Sequence, residues 1–400
     1  MNHCLFVGID ISKYKHNIAI INKQKKVIDK PFKINDDYDG YQYFLQKLKL
    51  LIQQHQTRQF YIGLEATGDY WKNIYHYLNR QSIPVSISVI NPIQTRALAK
   101  TELRRAKTDA VDAKDIALFM VEKRPKPFNN TTALFDSIKD IDKQIYQFKK
   151  LQTMAVNKLR IELTKVAPEI EKAFPKIQGK QIVALLAQFP TAELINNASE
   201  IQLKSIRYGE KNWQLPDSFI KTIKQLTKNS IAYKTGHGAG IVVVSLIRTI
   251  KLFHNEIDSL KKQLIELYKN INENDSILAT IPGVSKELAI ILEAYVNDIT
   301  RFSHVKQFVA YFGMNPTVRC SGKYIGKSYL QKKGQSIVRH KLFLITLCMI
   351  SQKVKPVYPF YTRLVENGKP KLVAIGAAMR KVLIIIFYMM KNNEPFKFYA

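Results

Sequence analysis

The stretch Val7-Gly8-Ile9-Asp10 ends the first apolar run of the chain and decides how its N-terminal part folds. The apolar run Leu5–Ile9 predicts a short strand, and His16–Ile21 and Val27–Ile34 predict two more, the last two joined by a polar, hairpin-like turn. Because Asp10 closes the first strand, its side chain can project from the carboxyl end of that strand. Pro31 lies inside the third strand, which therefore should lie at a sheet edge or carry a bulge.

The following residues continue in an α/β pattern. An apolar stripe predicts a helix over Asp39–Gln53, and further strands and helices follow: strand Gln59–Leu64, helix Tyr70–Leu78, strand Pro84–Ile90 and a helix opened by Asn91-Pro92. Three strands followed by alternating helices and strands are the order of an RNase H-like domain, although many α/β domains begin similarly. We assign this domain to residues 1–125.

Residues 126–275 are predicted to be helical. Apolar residues at alternating steps of four and three form a coiled-coil seam: Leu246, Ile250, Phe253, Ile257, Leu260, Leu264, Leu267 and Ile271. A looser version runs from Ile138 to Leu159, interrupted by Gln152. The two stretches could pair as an antiparallel hairpin, or each could meet the same helix of another subunit. The prolines and glycines of residues 168–240 allow no assignment.

Residues 276–400 are predicted to form a mostly helical third domain. This part is strongly basic, since no Asp or Glu occurs between Asp298 and Glu366. Pro282-Gly283 can form a tight turn that opens a helix and points backbone N–H groups at a phosphate, as helix-hairpin-helix elements do. A plain turn between two helices is an equally good interpretation.

The overall charge indicates which class of molecule the protein binds. The chain of 400 residues carries 62 Lys and Arg against 32 Asp and Glu, a formal net charge of +30. Nucleic acid is the partner that such a charge favours, because we expect no membrane anchor: the most apolar run, Val382–Met390, is about half the ~20 residues that span a bilayer. Three scattered cysteines and the lack of an evident secretory signal predict a reducing, cytoplasmic location.

Four carboxylates stand out against this basic background. Asp10 and Glu65 each follow an apolar strand, and Asp109 and Asp112 are three residues apart, which places both on one helix face. Carboxylates gathered in a basic chain predict a site for Mg²⁺ (or Mn²⁺) held against a nucleic-acid backbone. Alternatively, each could be an ordinary helix cap or strand end. Asp69 and Asp115 lie near enough in sequence to replace members of the set.

Two basic segments accompany these residues. The first precedes Asp109 and is predicted to contact phosphates through Arg104, Arg105 and Lys107. The second surrounds Ser321 and contains the cations Arg319, Lys323, Lys333 and Arg339. A serine hydroxyl becomes a nucleophile only when a base or metal activates it and cations stabilise the transition state. On these residues alone, a solvated loop serine is the simpler interpretation.

Taken together, the motifs resemble those of the DEDD-type transposases of insertion sequences, the group that includes Piv-like DNA invertases and bridge-RNA-guided recombinases. The resemblance rests on residues at both ends of the chain: Gly8-Ile9-Asp10, Glu65-Ala66-Thr67-Gly68, Lys107-Thr108-Asp109, Asp112-Ala113, Pro282-Gly283, Ser321-Gly322-Lys323, Lys333-Gly334 and Arg339. Their order and spacing are those of the family. The central helical region carries no matching motif.

The resemblance implies a RuvC-like domain in which Asp10, Glu65, Asp109 and Asp112 bind divalent metal. It implies a C-terminal transposase domain in which Ser321 attaches covalently to DNA. Cys320, beside Ser321, is a rival nucleophile, although the Ser-Gly pair is what matches the family. It also implies a structured guide RNA encoded by the element and a homodimer or homotetramer assembled through the coiled coil. The middle segment is long for the family, so the arrangement of subunits need not match that of other members.

Other functions fit part of the pattern. A Holliday-junction nuclease would need the carboxylates alone and would have no use for Ser321. A nucleic-acid-binding protein without catalytic activity would bind with a steep salt dependence but give no metal-dependent product. An actin-type ATPase also begins with a strand-end aspartate, but we find no convincing second glycine-rich phosphate loop.

Overall fold

The structure is a computed structural model that describes residues 4–101, 109–128, 133–270, 272, 274–317, 320–321, 324–325, 329–330 and 334–397. It divides into two compact units, residues 1–130 and 131–400. The division into domains of residues 1–125, 126–275 and 276–400 stays a prediction. The boundary between the two units, after residue 130, lies five residues beyond the predicted end of the first domain.

The first unit is an α/β domain. Its strands are β1 (Cys4–Ile11), β2 (Lys15–Asn22), β3 (Val27–Asn35), β4 (Gln59–Glu65) and β5 (Val85–Ile90). Its helices are α1 (Tyr38–His55), α2 (Trp71–Asn79), α3 (Pro92–Thr101) and α4 (Asp109–Lys123). The predicted order of strands and helices is confirmed.

The five strands form one mixed sheet in the order β3-β2-β1-β4-β5. The pairs β1–β2 and β2–β3 are antiparallel, whereas β4 runs parallel to both β1 and β5. The expectation for Pro31 is confirmed, because β3 is an edge strand and its pairing with β2 carries register shifts near Ile20. The central position of β1 explains its apolar sequence, since both faces of the strand are buried.

Helices cover the two faces of the sheet. One face packs against α1 and α2 through buried residues such as Phe44 and Leu48. The other face packs against α4 through Ile116, Ala117 and Met120. Between them these two clusters bury both faces of the sheet.

The second unit is mostly helical. Its long helices α5 (Ala133–Val166) and α11 (Gly236–Lys269) each contain 34 residues. Between them lie α6 (Pro168–Ala173), α7 (Lys180–Gln188), α8 (Ala192–Asn197), α9 (Glu200–Ser205), the two-residue strands β6 (Arg207–Tyr208) and β7 (Trp213–Gln214), and α10 (Asp217–Thr227). These elements occupy the region that the sequence left unassigned.

Helices α5 and α11 pair antiparallel within the chain. The rings of Phe148 and Phe253 lie 5.7 Å apart, and Gln152 donates from its side-chain amide to the Ile250 carbonyl oxygen at 3.4 Å. Of the predicted seam residues, Ile250, Ile257 and Leu264 are buried and Leu246, Phe253, Leu260 and Leu267 are half-buried, while Ile271 lies outside the described residues. The hairpin interpretation of the two apolar stretches is therefore confirmed.

Two hydrophobic clusters lie at different positions along this helix pair. One joins the pair to the middle helices through residues such as Leu159, Leu163 and Val243. The other joins it to the C-terminal helices through Ile138 and Leu264.

The C-terminal part follows α11. Its elements are the 3-10 turns Ile277–Thr280 and Ile299–Arg301, α12 (Lys286–Val296), α13 (Val305–Tyr311), β8 (Pro316–Thr317), β9 (Cys320–Ser321), β10 (Tyr324–Ile325), β11 (Tyr329–Leu330), α14 (Ser336–Ser351), α15 (Val357–Glu366) and α16 (Lys371–Asn392). The prediction of a mostly helical C-terminal region is confirmed.

The predicted Pro282-Gly283 turn lies before α12. Gly283 has φ +81°, and a Cβ there would lie 2.5 Å from Cys348 Sγ, so both conformation and packing require glycine. The turn is thus packed on α14, and its contact with nucleic acid stays a prediction.

By length and composition, α11 and α16 could each cross a membrane. Half of the most apolar stretch of α16 is buried in the protein, and α11 lies against α5. Core helices of soluble proteins have the same composition, so these helices are weak evidence for a membrane protein.

Candidate active site

Asp10 and Glu65 lie at the carboxyl ends of two neighbouring inner strands, β1 and β4. In the parallel pairing of β1 with β4, Ile9 is opposite Leu64, so the next residues, Asp10 and Glu65, follow side by side. Both side chains are half-buried. The sequence prediction that two strands deliver carboxylates to one edge is consistent with this register.

Two glycines define the face on which these carboxylates lie. Side chains alternate between the faces of a strand, so Asp10 shares a face with Gly8, and Glu65 shares that face with Gly63. A Cβ on Gly8 would lie 2.0 Å from the Ala113 carbonyl oxygen, and a Cβ on Gly63 would lie 2.9 Å from Ile116 Cγ2. Helix α4 therefore packs directly on this face of β1 and β4.

The direction of α4 brings its first turn to the carboxylates. Ala113, near the start of α4, lies at Gly8, whereas Arg124, just after its end, lies 5.2 Å from the ring of Phe6. The helix thus runs opposite to β1, and its N-terminal end is at the carboxyl end of β1, where Asp10 is the next-to-last residue. Asp112, half-buried, precedes the buried Ile116 by four residues and so shares its helix face. Asp109 is the first residue of α4, but its side chain lies outside the described residues.

Gly8→Ala is expected to destabilise the first unit by about 3 kcal/mol, at the upper end of typical overpacking costs. The added methyl group would meet backbone atoms of Ala113 and Ala117, which no side-chain rotation can move aside. Chemical denaturation followed by circular dichroism would measure the loss. Gly238→Ala is the matched control, because nothing lies within 4 Å of a Cβ there. Equal stability of both variants would contradict the close packing of α4 on β1.

Two buried polar residues orient the strand-end carboxylates. Asn17, opposite Asp10 in β2, donates from its side-chain amide to Asp10 Oδ2 at 3.4 Å. The Thr95 hydroxyl of α3 lies 3.3 Å from Glu65 Oε2 and can donate to it or to the Pro92 carbonyl oxygen. Sequence reasoning missed both residues. A signal existed for Asn17, which is a polar residue within an apolar strand.

The donor set suits a hard divalent cation, because carboxylate oxygens are the ligands that Mg²⁺ and Mn²⁺ prefer. Within the part of the chain that the structure describes, no three His, Cys, Asp or Glu side chains lie close enough to hold one ion. Asp10 and Glu65 are neighbours across β1 and β4, and Asp112 lies in the first turn of α4, but these three side chains do not form such a group. The side chain of Asp109, the fourth predicted ligand, lies outside the described residues.

The two suggested substitutes differ in position from this set. Asp69 is largely exposed and forms an ion pair with Lys72 Nζ at 3.0 Å. Asp115 lies on α4 three residues after Asp112 and is half-buried. Asp69 is the poorer candidate, because an exposed, already paired carboxylate has less reason to bind metal.

Most of the predicted phosphate contacts lie outside the described residues. These are Arg104, Arg105, Lys107, Arg319, Lys323 and Lys333. The exception is Arg339, whose guanidinium donates to the carbonyl oxygens of Phe312 at 3.4 Å and Gly334 at 3.2 Å. Burial lowers the pKa of Arg339. The Arg339 guanidinium thus links residues on either side of the segment that carries Ser321. Sequence reasoning missed this role.

The backbone of Ser321 is part of a short antiparallel ladder. Ser321 pairs with Tyr324 and Cys320 with Ile325, while Tyr329 pairs with Thr317. The side chains of Ser321 and Cys320 lie outside the described part of the chain. The ladder places Ser321 at the end of its strand, between the α13 and α14 helices.

Two further buried networks were not predicted. On the sheet face opposite Asn17, the His16 imidazole lies 3.2 Å from Asp36 Oδ1, which also accepts from the Tyr41 hydroxyl. Burial lowers the pKa of His16 despite the opposing effect of Asp36. In the second unit, Lys341 Nζ lies 2.7 Å from Oδ1 of the buried Asp142, which ties α14 to α5. Lys341 therefore serves the fold.

Comparison with known proteins assigns both ends of the chain to the transposase family that the sequence motifs resemble. Residues 7–168 match the model of the DEDD transposase domain of IS110 elements, and residues 275–362 match the transposase model of the IS116/IS110/IS902 family. Together the two matches cover more than half of the chain.

Curated relatives extend the similarity over nearly the whole chain. The pilin gene-inverting proteins of Moraxella bovis and Moraxella lacunata are each 24% identical over 396 residues, covering 98% of this chain and 97% of the relative. An uncharacterised protein of insertion element IS116 from Streptomyces clavuligerus is 19% identical over 291 residues, or 72% of each chain.

The carboxylates of β1 and β4 agree with the first of these matches. Membership of a DEDD transposase family suggests dependence on a divalent metal and implies a DNA substrate. The chain belongs to the IS110 family of DEDD-type transposases and is an enzyme of DNA recombination.

Proposed function

We propose that this enzyme is a transposase or site-specific recombinase of an insertion sequence that cuts DNA at a carboxylate centre and rejoins it through a serine nucleophile. The observation that carries the proposal is the arrangement of the first unit, in which Asp10, Glu65 and the start of α4 lie at the same end of the sheet. A mixed five-stranded sheet of order β3-β2-β1-β4-β5 supports naming this unit a RuvC-like (RNase H-like) domain.

In this proposal Asp10, Glu65, Asp109 and Asp112 would hold Mg²⁺ or Mn²⁺. When bound, such ions stabilise the charge on the attacking and leaving oxygens of phosphodiester displacement. The contacts from Asn17 and Thr95 keep two of the carboxylates in place before any ion arrives. The lack of a closed cage is compatible with a site that also takes oxygens from the DNA phosphate.

Ser321 is proposed as the residue that attaches to DNA. Its Oγ would form a bond to phosphorus while the bond from phosphorus to one deoxyribose oxygen breaks. The serine proton leaves with the released strand, which ends in a free hydroxyl group. The sequence around Ser321 supports this role, since cations without carboxylates from residue 299 to 365 would stabilise the developing phosphate charge.

A structured guide RNA and a homodimer or homotetramer in the cytoplasm complete the proposal. The net charge of +30 supports contact with RNA as well as DNA. Exposed apolar residues on the outer faces of the helix pair, such as Leu151, Met154 and Leu252, support assembly through this region.

The test is to incubate the purified chain with the DNA that flanks its gene and with transcripts of that DNA. We expect new strand junctions only when a divalent ion is present, and none after chelation. Salt-sensitive binding without any metal-dependent product would support the non-catalytic alternative. Cleavage of four-way junctions without rejoining would support the nuclease alternative.

A further inference from the structure

A cationic cavity lies between α15 and α16, outside the sites described so far. It has a volume of about 360 Å³ and is lined by Lys355, Pro356, Pro359, Phe360, Arg363 and Lys381. Its three charged residues are all positive. They come from two helices and the preceding loop, so the fold gathers them from separate parts of the sequence.

The half-buried ring of Phe360 holds two of these cations. Lys381 Nζ lies 4.9 Å from the ring centroid, and the Arg363 guanidinium carbon lies 5.6 Å from it. Cation–π contacts are worth roughly 0.5–1 kcal/mol at exposed sites. The ring therefore positions both side chains but does not neutralise their charge.

No carboxylate pairs with these cations within the described part of the chain, which includes every residue of both helices. Other lysines of the same unit do have partners: Lys286 pairs with Asp275, Lys341 with Asp142 and Lys397 with Glu394. Like charges held near one ring repel each other, and an anion between them would relieve that repulsion.

Two larger cavities of this unit have a different character. One of about 810 Å³ between α7 and α11 contains Glu210 and Asp258 among its cations. Another, of about 610 Å³, is lined by Asp275 and Glu293. The cavity at Phe360 combines positive charge that no described carboxylate pairs with and an aromatic wall, which is the combination that an anion would select.

We propose that this cavity binds the phosphate backbone of duplex DNA. The inference rests on the proposed function for the identity of the nucleic acid. Lysine and arginine side chains make charge-assisted hydrogen bonds to phosphate oxygens, and an open cavity admits a continuous polymer. The cavity also lies on the helix that contacts β11, which belongs to the same segment between α13 and α14 as Ser321. Leu330 of β11 would lie 3.6 Å from a Cβ on Gly376, five residues and about 8 Å along α16 from Lys381.

The test compares two double variants of the full chain that lose the same charge. Arg363→Gln/Lys381→Gln removes the cavity cations, while Lys369→Gln/Lys391→Gln removes two exposed cations of the same helical region outside it. For each protein, binding to a flanking DNA duplex is measured over a range of salt concentrations. Thermal unfolding establishes that both variants fold like the wild type.

We expect the cavity variant to reduce the magnitude of the negative slope of log Kobs against log salt concentration by about 1.8, at ~0.9 for each lost phosphate contact, and the control variant to leave the slope unchanged. Equal slopes for the two variants, with DNA recombination intact in the wild type, would overturn the cavity alone. Wild-type protein that does not bind the duplex would overturn the proposed function as well. A slope change seen only with RNA would refute the assignment to duplex DNA.

Discussion

Ser321→Ala is expected to abolish the covalent protein–DNA product. Without the hydroxyl oxygen no bond to phosphorus can form, and removal of a nucleophile typically lowers a rate by a thousandfold or more, on the order of 10³ to 10⁶. The measurement is a denaturing gel of labelled DNA after reaction, on which a covalent adduct migrates with the protein. Ser321 belongs to a short strand ladder that depends on backbone pairing, so the substitution should leave the fold unchanged.

Cys320→Ala is the matched control, since Cys320 precedes Ser321 in the same strand. It should retain the adduct. Loss of the adduct in Cys320→Ala together with its survival in Ser321→Ala would make the thiol the nucleophile. Strand cleavage that continues in Ser321→Ala without any adduct would instead favour a nuclease that uses the carboxylates alone.

Asp10→Asn is expected to reduce DNA strand cleavage by about a hundredfold or more. An amide is a weaker ligand for a hard divalent cation than a carboxylate, and Asp10 lies beside Glu65 on the sheet face against which α4 packs. Asn17 could still form a hydrogen bond to the new side chain, so local packing should persist. Cleavage of labelled DNA at saturating metal concentration measures the effect.

Metal binding gives a second measurement that does not depend on activity. A ligand that binds the folded state raises the unfolding temperature, so Mg²⁺ or Mn²⁺ should stabilise the wild type and stabilise Asp10→Asn much less. Asp69→Asn serves as control, because Asp69 is exposed and paired with Lys72. It should keep both activity and metal stabilisation. If Asp69→Asn lost activity and metal stabilisation while Asp10→Asn kept both, then Asp69 and not Asp10 would belong to the metal site.

The strand-end positions of Asp10 and Glu65 were predictable because an apolar run followed by a carboxylate is a local pattern. The edge position of β3 was predictable for the same reason, since Pro31 lacks the N–H that a central strand needs. The contacts of Asn17 and Thr95 were not, because they depend on which strands and helices become neighbours. Register and packing decide such contacts, and neither can be predicted from the sequence of a single segment.

Arginine and lysine residues show a related difficulty. Arg339 and Lys341 looked alike in a basic stretch, yet the Arg339 guanidinium donates to backbone carbonyls and Lys341 pairs with a buried aspartate. A sequence shows the charge but not the burial that selects its partner. Residues 168–240 also escaped prediction, because helices as short as six residues, such as α6, α8 and α9, show almost no periodicity.

The antiparallel pair of α5 and α11 acts as a spacer of defined length. Its two attachment points, at Ile138 and Leu159 on α5, are 21 residues or about 30 Å apart along the helix axis. Inserting seven residues into both helices would keep every apolar face in register and add about 10 Å. Evolution could therefore change the reach between the middle helices and the C-terminal core in discrete steps without redesigning either of them.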